Sequence, residues 1–161
     1  MRSHSDEFRA ILRTPFALLG IRAGDDVVTE IVFLPGDAVV LAPQNRLAER
    51  VCAQIQRYLD DPEYRFDLPL ARQGTPFQRR VWRKITMIGA GRTRSYGEIA
   101  RGLDSSPRAV GQACGANPLP LVVPCHRVLA AGGIGGFAHH SRGFPLSVKR
   151  WLLAHEGVTA E

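Results

Sequence analysis

The chain has 161 residues, 45% of them apolar and 22% charged, with a net charge of +6. That is a globular composition with enough apolar chain to bury one sizeable core or two small ones. The first residues, Met1-Arg2-Ser3-His4-Ser5-Asp6-Glu7, form no apolar signal region, and no run approaches the roughly 20 apolar residues that span a bilayer, so a cytoplasmic protein is expected. Charge is uneven: residues 1 to 73 hold nine basic and eleven acidic residues and residues 74 to 161 twelve and four, giving −2 and +8. A polyanion is therefore expected to meet the second half alone.

The first half predicts a small antiparallel sheet from the β-favouring runs Ala17–Ile21, Val27–Phe33 and Ala38–Leu41, which Gly, Asp and Pro separate. From Asn45, Leu47, Val51, Ile55 and Leu59 recur at helical spacing until Asp60-Asp61-Pro62, so a helix covers the sheet. Polar, irregular Glu63 to Gly74 reads as a linker. The expected architecture is a two-domain α+β (α/β) protein, with a sheet-plus-helix domain over 1–74 and a helical domain over 75–161.

The second half carries explicit helix starts. Thr75-Pro76-Phe77-Gln78 offers an N-cap Thr, a Pro at the first helical position and a Gln at the third, followed by inward Val81, Trp82 and Ile85. Arg79, Arg80, Arg83 and Lys84 share the other face. Ser95-Tyr96-Gly97-Glu98 is a second capping box, and Ser106-Pro107 starts another helix that runs to Gly115. Two short helices with a tight turn between them form a helix-turn-helix pattern. The small residues of the second helix, among them Ala109, Val110 and Gly111, cannot read base edges by hydrogen bonds. They allow close approach to a duplex instead, with Arg108 at the helix start free to project. A last amphipathic helix runs from Ser147 to a Gly stop at Gly157.

Between these helices, the apolar stretch Leu119–Pro124 reads as short, buried and extended, and it leads into Pro124-Cys125-His126-Arg127-Val128. A thiol beside an imidazole, with a carboxylate available at Glu156, contains the nucleophile, base and orienting group of an activated thiol. On an extended strand Cys125 and His126 point to opposite faces, so a turn or a water has to join them. Cys52, Cys114 and Cys125 are an odd set at unrelated spacings, which fits reduced thiols, and Cys52 and Cys114 read as core packing. Neither a zinc spacing nor the neighbouring pair His139-His140 makes a metal site, and no cofactor is expected.

Together Ser95–Ala100, Arg108–Gly111, Asn117-Pro118, Pro124–Val128 and the Lys149–Gly157 helix strongly resemble the O6-alkylguanine-DNA alkyltransferases, over residues 75 to 157. The resemblance implies a monomeric DNA repair protein. It would bind the minor groove of double-stranded DNA, flip an O6-alkylguanine, and move the alkyl group irreversibly to its own cysteine. Transferred residue by residue, it makes Cys125 the acceptor, His126 a base acting through a water, and Glu156 the group that orients the imidazole. Asn117 would tie the turn before the acceptor, and Tyr96 would serve the flipped base. The carbonyls of Cys125 and Val128 would contact the guanine. Arg94, Ser95, Arg108, Ala109 and Gly111 would face DNA, Arg108 filling the space of the extruded nucleotide. The stretch Gly135 to Leu146 is several residues longer than the family's usual loop. An alternative is a lesion-binding or regulatory DNA-binding protein without repair activity, which would have no need of the Cys125 thiol. A Cys-His hydrolase is disfavoured because no oxyanion-hole motif is found.

Overall fold

Ile21 lies opposite both Ala10 and Ile31, and all three are buried, so one pleat face of the first half is committed to a core. They belong to β1 (Ala10–Arg13), β2 (Leu18–Ala23) and β3 (Val28–Leu34), an antiparallel sheet with β2 in the centre. The computed structural model describes residues 7–133 and 146–159. The chain divides into two compact units, Met1–Arg72 and Gln73–Glu161.

In the first unit α1 (Arg46–Asp60) starts at Asn45, whose side chain accepts the Ala48 N–H and donates to the Ala23 carbonyl at 2.9 Å. The cap thus fixes the helix to the sheet it covers. Leu47, Val51 and Ile55 are buried as their spacing predicts, and Tyr58 joins them. Three expectations need correction. Ala38–Leu41 is not a strand: only Leu41 pairs, in a single bridge to Ile11, while Val39 and Val40 are exposed. Strand propensity measures fit to a half-buried surface, and this run has none to lie on. Cys52 is half-buried rather than in the core. Part of the segment read as a linker is stitched onto this unit: Asp67 exchanges two hydrogen bonds with Gln54, and the Val28 amide donates to the Pro69 carbonyl.

The second unit follows its caps. α2 (Pro76–Thr86) and α3 (Tyr96–Gly102) both start with complete capping boxes, Thr75 with Gln78 and Ser95 with Glu98, and α4 (Pro107–Gly115) is capped by Ser106. Trp82 donates its indole N–H to the Ala113 carbonyl at 2.9 Å, anchoring α2 to α4. Asp104, at φ 52°, makes the abrupt turn between α3 and α4, a conformation its short polar side chain tolerates. α5 (Leu146–His155) closes the unit, and its fold is α+β. The Gly135–Pro145 stretch, including His139 and His140, lies outside the described residues. None of the described helices is long and apolar enough to cross a membrane.

Leu119–Pro124 is buried as expected but is not extended. Leu121 takes φ 75°, and Pro120 bridges back to Val123, so the stretch folds on itself before a 3-10 turn at Cys125–Arg127. Prolines at both ends prevent a regular ladder. Directly afterwards β5 (Val128–Leu129) pairs in parallel with β4 (Arg94–Ser95), which places the start of α3 beside the Cys125 turn.

Candidate active site

Each site residue is held by a local device. At the end of α5 the Gly157 and Val158 amides donate to the Ala154 and Leu153 carbonyls, with Gly157 at φ 81°. This Schellman closure makes Glu156 the last capping residue of the helix. Its carboxylate is buried and takes the His126 Nε2–H on Oε2 at 2.8 Å. The expected His126–Glu156 pair is therefore in contact. Arg127 adds a cation: its Nε donates to Oε1 at 2.8 Å and its Nη2 to Oε2 at 2.9 Å, while Nη1 reaches the Ile88 carbonyl.

Burial alone would raise the Glu156 pKa. The hydrogen bonds and charges of His126 and Arg127 outweigh it and hold the carboxyl well below its usual range. An ionised carboxylate only accepts, so Nε2 of His126 carries the proton and Nδ1 is the basic nitrogen. Burial pushes the His126 pKa down, against the pull of Glu156, so the resting ring is neutral.

Asn117 ties the turn before Cys125. Its Nδ2 donates to the Val123 carbonyl at 2.9 Å and to Cys125 Sγ at 3.3 Å, and its Oδ1 accepts the Leu119 N–H. Cys125 is fully buried, and that burial, followed by the influence of the Cys114 thiol, pushes its thiol well up. Asn117 and Lys149 pull the other way. At neutral pH Cys125 rests as a thiol, which needs a base to become a nucleophile.

Two residues of this buried cluster are absent from the sequence expectations. Lys149 is fully buried on α5, and its Nζ donates to the Val128 carbonyl at 2.7 Å and sits 5.7 Å from the Tyr96 ring centroid. Burial lowers its pKa from 10.5 to about 8, with Cys114 and Cys125 opposing the fall. Its signal was a lysine three and four residues before Leu152 and Leu153, on the apolar face of its helix. Arg127 is the other, and no local pattern tells a basic residue beside a histidine to turn toward a distant carboxylate.

Tyr96, at the start of α3, is drawn into this group: burial first, then the charges of Cys114 and Cys125, push its phenol far up, so it stays protonated. The Val128 amide donates to the Cys125 carbonyl, and Lys149 already occupies the Val128 carbonyl. The residues expected to face DNA lie apart from the buried cluster. Arg94 and Arg108 are exposed, Ala109 is half-buried, and a Cβ built on Gly111 meets nothing within 4 Å. Ser95 uses its hydroxyl to accept the Glu98 N–H at 3.0 Å.

A buried thiol, a carboxylate-bound imidazole and an inward lysine beside a helix-turn-helix are the parts of a cysteine-based group-transfer site. The family model for the 6-O-methylguanine DNA methyltransferase DNA-binding domain matches residues 76–158. A methylated-DNA–protein-cysteine methyltransferase of Methanosarcina acetivorans is 32% identical over 158 residues, covering 93% of this chain and 98% of its own. A probable one of Acanthamoeba polyphaga mimivirus is 44% identical over 96 residues, but the match covers 58% of this chain and only 61% of the relative. Among solved structures, Mycobacterium tuberculosis OGT in complex with DNA is similar with a TM-score of 0.78 and 33% identity, covering 93% of this chain and 92% of that one. This chain belongs to the methylated-DNA–protein-cysteine methyltransferase family.

Proposed function

We propose that the protein repairs DNA directly, moving an alkyl group, methyl above all, from O6 of guanine in a duplex to Cys125 Sγ, with O4 of thymine as a further substrate. The observation that carries this reading is the buried Cys125 beside Asn117, with His126 held by Glu156 in the next turn. An alkyl carbon on an aryl ether oxygen is a soft electrophile, and a thiolate is the matching nucleophile.

His126 Nδ1 takes the Cys125 proton through a bridging water, and Glu156 stabilises the imidazolium that results. Lys149 supplies positive charge to the new thiolate without a metal. Sγ attacks the alkyl carbon, the carbon–oxygen bond breaks, and the leaving guanine takes a proton from the Tyr96 O–H as negative charge develops on it, while the proton that His126 took from Cys125 returns through water to the phenol. The carbonyls of Cys125 and Val128 hold the base. The thioether is stable to water, so each molecule turns over once.

A base inside a duplex cannot reach a fully buried sulfur, so it is flipped out. The exposed start of α4 enters the minor groove, where Arg108 fills the gap and Ala109 and Gly111 permit close approach, while Arg94 and Ser95 add backbone contacts. Binding and transfer both reside in residues 75–161, and the protein acts as a monomer. Reduced thiols suit a cytoplasmic setting. Cys125→Ser tests the reading: on a duplex carrying O6-[³H]methylguanine the variant retains lesion binding and takes up no label. Label transfer by the variant would sink it.

A further inference from the structure

A carboxylate that orients an imidazole has itself to be held. A terminal carboxyl turns in a broad torsional well, and His126 grips Glu156 through one oxygen, Oε2, at 2.8 Å. Arg127 supplies the second hold. Its Nε donates to Oε1 at 2.8 Å and its Nη2 to Oε2 at 2.9 Å, a fork that fixes the plane of the carboxylate. Nη1 runs the other way, donating to the Ile88 carbonyl at 2.6 Å in the turn that follows α2. That turn also approaches the end of α5, since a Cβ built on Gly91 would lie 3.4 Å from the Glu156 carbonyl. One largely buried guanidinium therefore joins the Cys125 turn, the end of α5 and the turn after α2.

We propose that Arg127 is a positioning residue for the transfer: its fork holds the Glu156 carboxylate so that His126 presents Nε2–H to it and keeps Nδ1 bare as the base. This inference rests on the repair reading and adds to it a residue whose bonds go to Glu156 and Ile88 rather than to the thiol. Charge works in the same direction as geometry. The charged groups acting on His126 are Glu156 and Lys149 of α5 and Arg127 of its own turn, beside the titratable Cys125. α2 also packs on that turn but keeps Arg83 and Lys84 exposed. Glu156 by itself would draw a proton onto the buried ring and leave an imidazolium, which can take none from Cys125. The Arg127 cation offsets that pull and keeps the carboxylate ionised, so the ring rests neutral and correctly protonated.

The test follows single-turnover transfer from an O6-methylguanine duplex between about pH 5 and 9, and titrates His126 by ¹⁵N NMR on histidine-labelled full chain. In the unsubstituted protein His126 is expected to stay neutral below the ordinary histidine value of 6.5, with Nε2 protonated and with a slowly exchanging Arg127 Nε–H. In Arg127→Met the His126 titration and the acid limb of the transfer rate both move up by about one pH unit. Transfer on that limb then falls about tenfold, while the rate on the alkaline side changes far less. Arg127→Lys keeps the charge and brings the limb back. A native His126 that is protonated at pH 7, an Arg127 Nε–H that exchanges freely, or a loss in Arg127→Met that is equal at every pH would each overturn the proposal. The native titration and the Nε–H exchange decide the matter even if Arg127→Met fails to fold. A protein that never accepts a methyl group, but whose His126 titration shifts as expected in Arg127→Met, would refute the repair reading and leave the hold on the imidazole standing.

Discussion

Lys149→Met separates what the fold prefers from what the chemistry needs. Lys149 is fully buried, and the fall of its pKa from 10.5 to about 8 corresponds to about 3 kcal/mol against the charged form inside the protein. Met has a similar shape and no charge, so the substitution removes that penalty. It also takes the donor from the Val128 carbonyl, which costs about 1–2 kcal/mol. At pH 7 the variant is therefore expected to be more stable by about 1–2 kcal/mol, read from urea unfolding midpoints. The sign with pH follows from linkage. Between about 8 and 10.5 the unfolded chain binds the lysine proton more than the folded one does, so the native protein gains stability as pH rises and the advantage of Met shrinks. Single-turnover transfer should move oppositely, slowing by about tenfold to a hundredfold as the Cys125 thiolate loses its cation. A variant several kcal/mol less stable that transfers at the native rate would show Lys149 to be a structural anchor and refute the argument.

Glu156→Gln leaves the Arg127 guanidinium without its carboxylate and is expected to cost about 3–5 kcal/mol. The folded carboxyl holds off its proton to a lower pH than the unfolded one. Its contribution is therefore full above the ordinary carboxylate value of 4.5 and is lost as pH falls through and below it. Unfolding midpoints from pH 7 down to 3 should fall steeply in the native protein and less steeply in the variant. Arg108→Ala should reduce base extrusion, followed by 2-aminopurine fluorescence beside the lesion, by about tenfold, and lower affinity for undamaged duplex by less than about threefold. Equal losses in both would make Arg108 only a phosphate contact.

Local chemistry made most of the second unit legible. The pairs Thr75 with Gln78 and Ser95 with Glu98, and the Ser106-Pro107 start, define helix ends because a capping side chain satisfies donors that its own helix leaves open. The order of the motifs from Ser95 to Gly157 carried the family and named Cys125, His126, Asn117 and Glu156. What was missed depends on tertiary partners. Val39 and Val40 have strand-forming side chains without a surface to cover, and Ala10–Arg13 takes the edge beside β2 instead. The two-residue ladder between Arg94-Ser95 and Val128-Leu129 is too short to leave a pattern. The fold-back at Leu121 reverses a stretch whose composition reads as extended. Arg127 and Lys149 find their partners only when the end of α5 is laid against the Cys125 turn, although a lysine on an apolar helix face is a visible anomaly.

A repair protein of this kind accepts an alkyl group from DNA on Cys125 and keeps it. Incubating the protein with a duplex containing O6-methylguanine and mapping the product by mass spectrometry tests this directly. A stoichiometric gain of about 14 Da on the peptide that contains Cys125, with guanine restored in the duplex, is the predicted result. Tight binding to the lesion with no added mass, or a methyl group found on another residue, would contradict it.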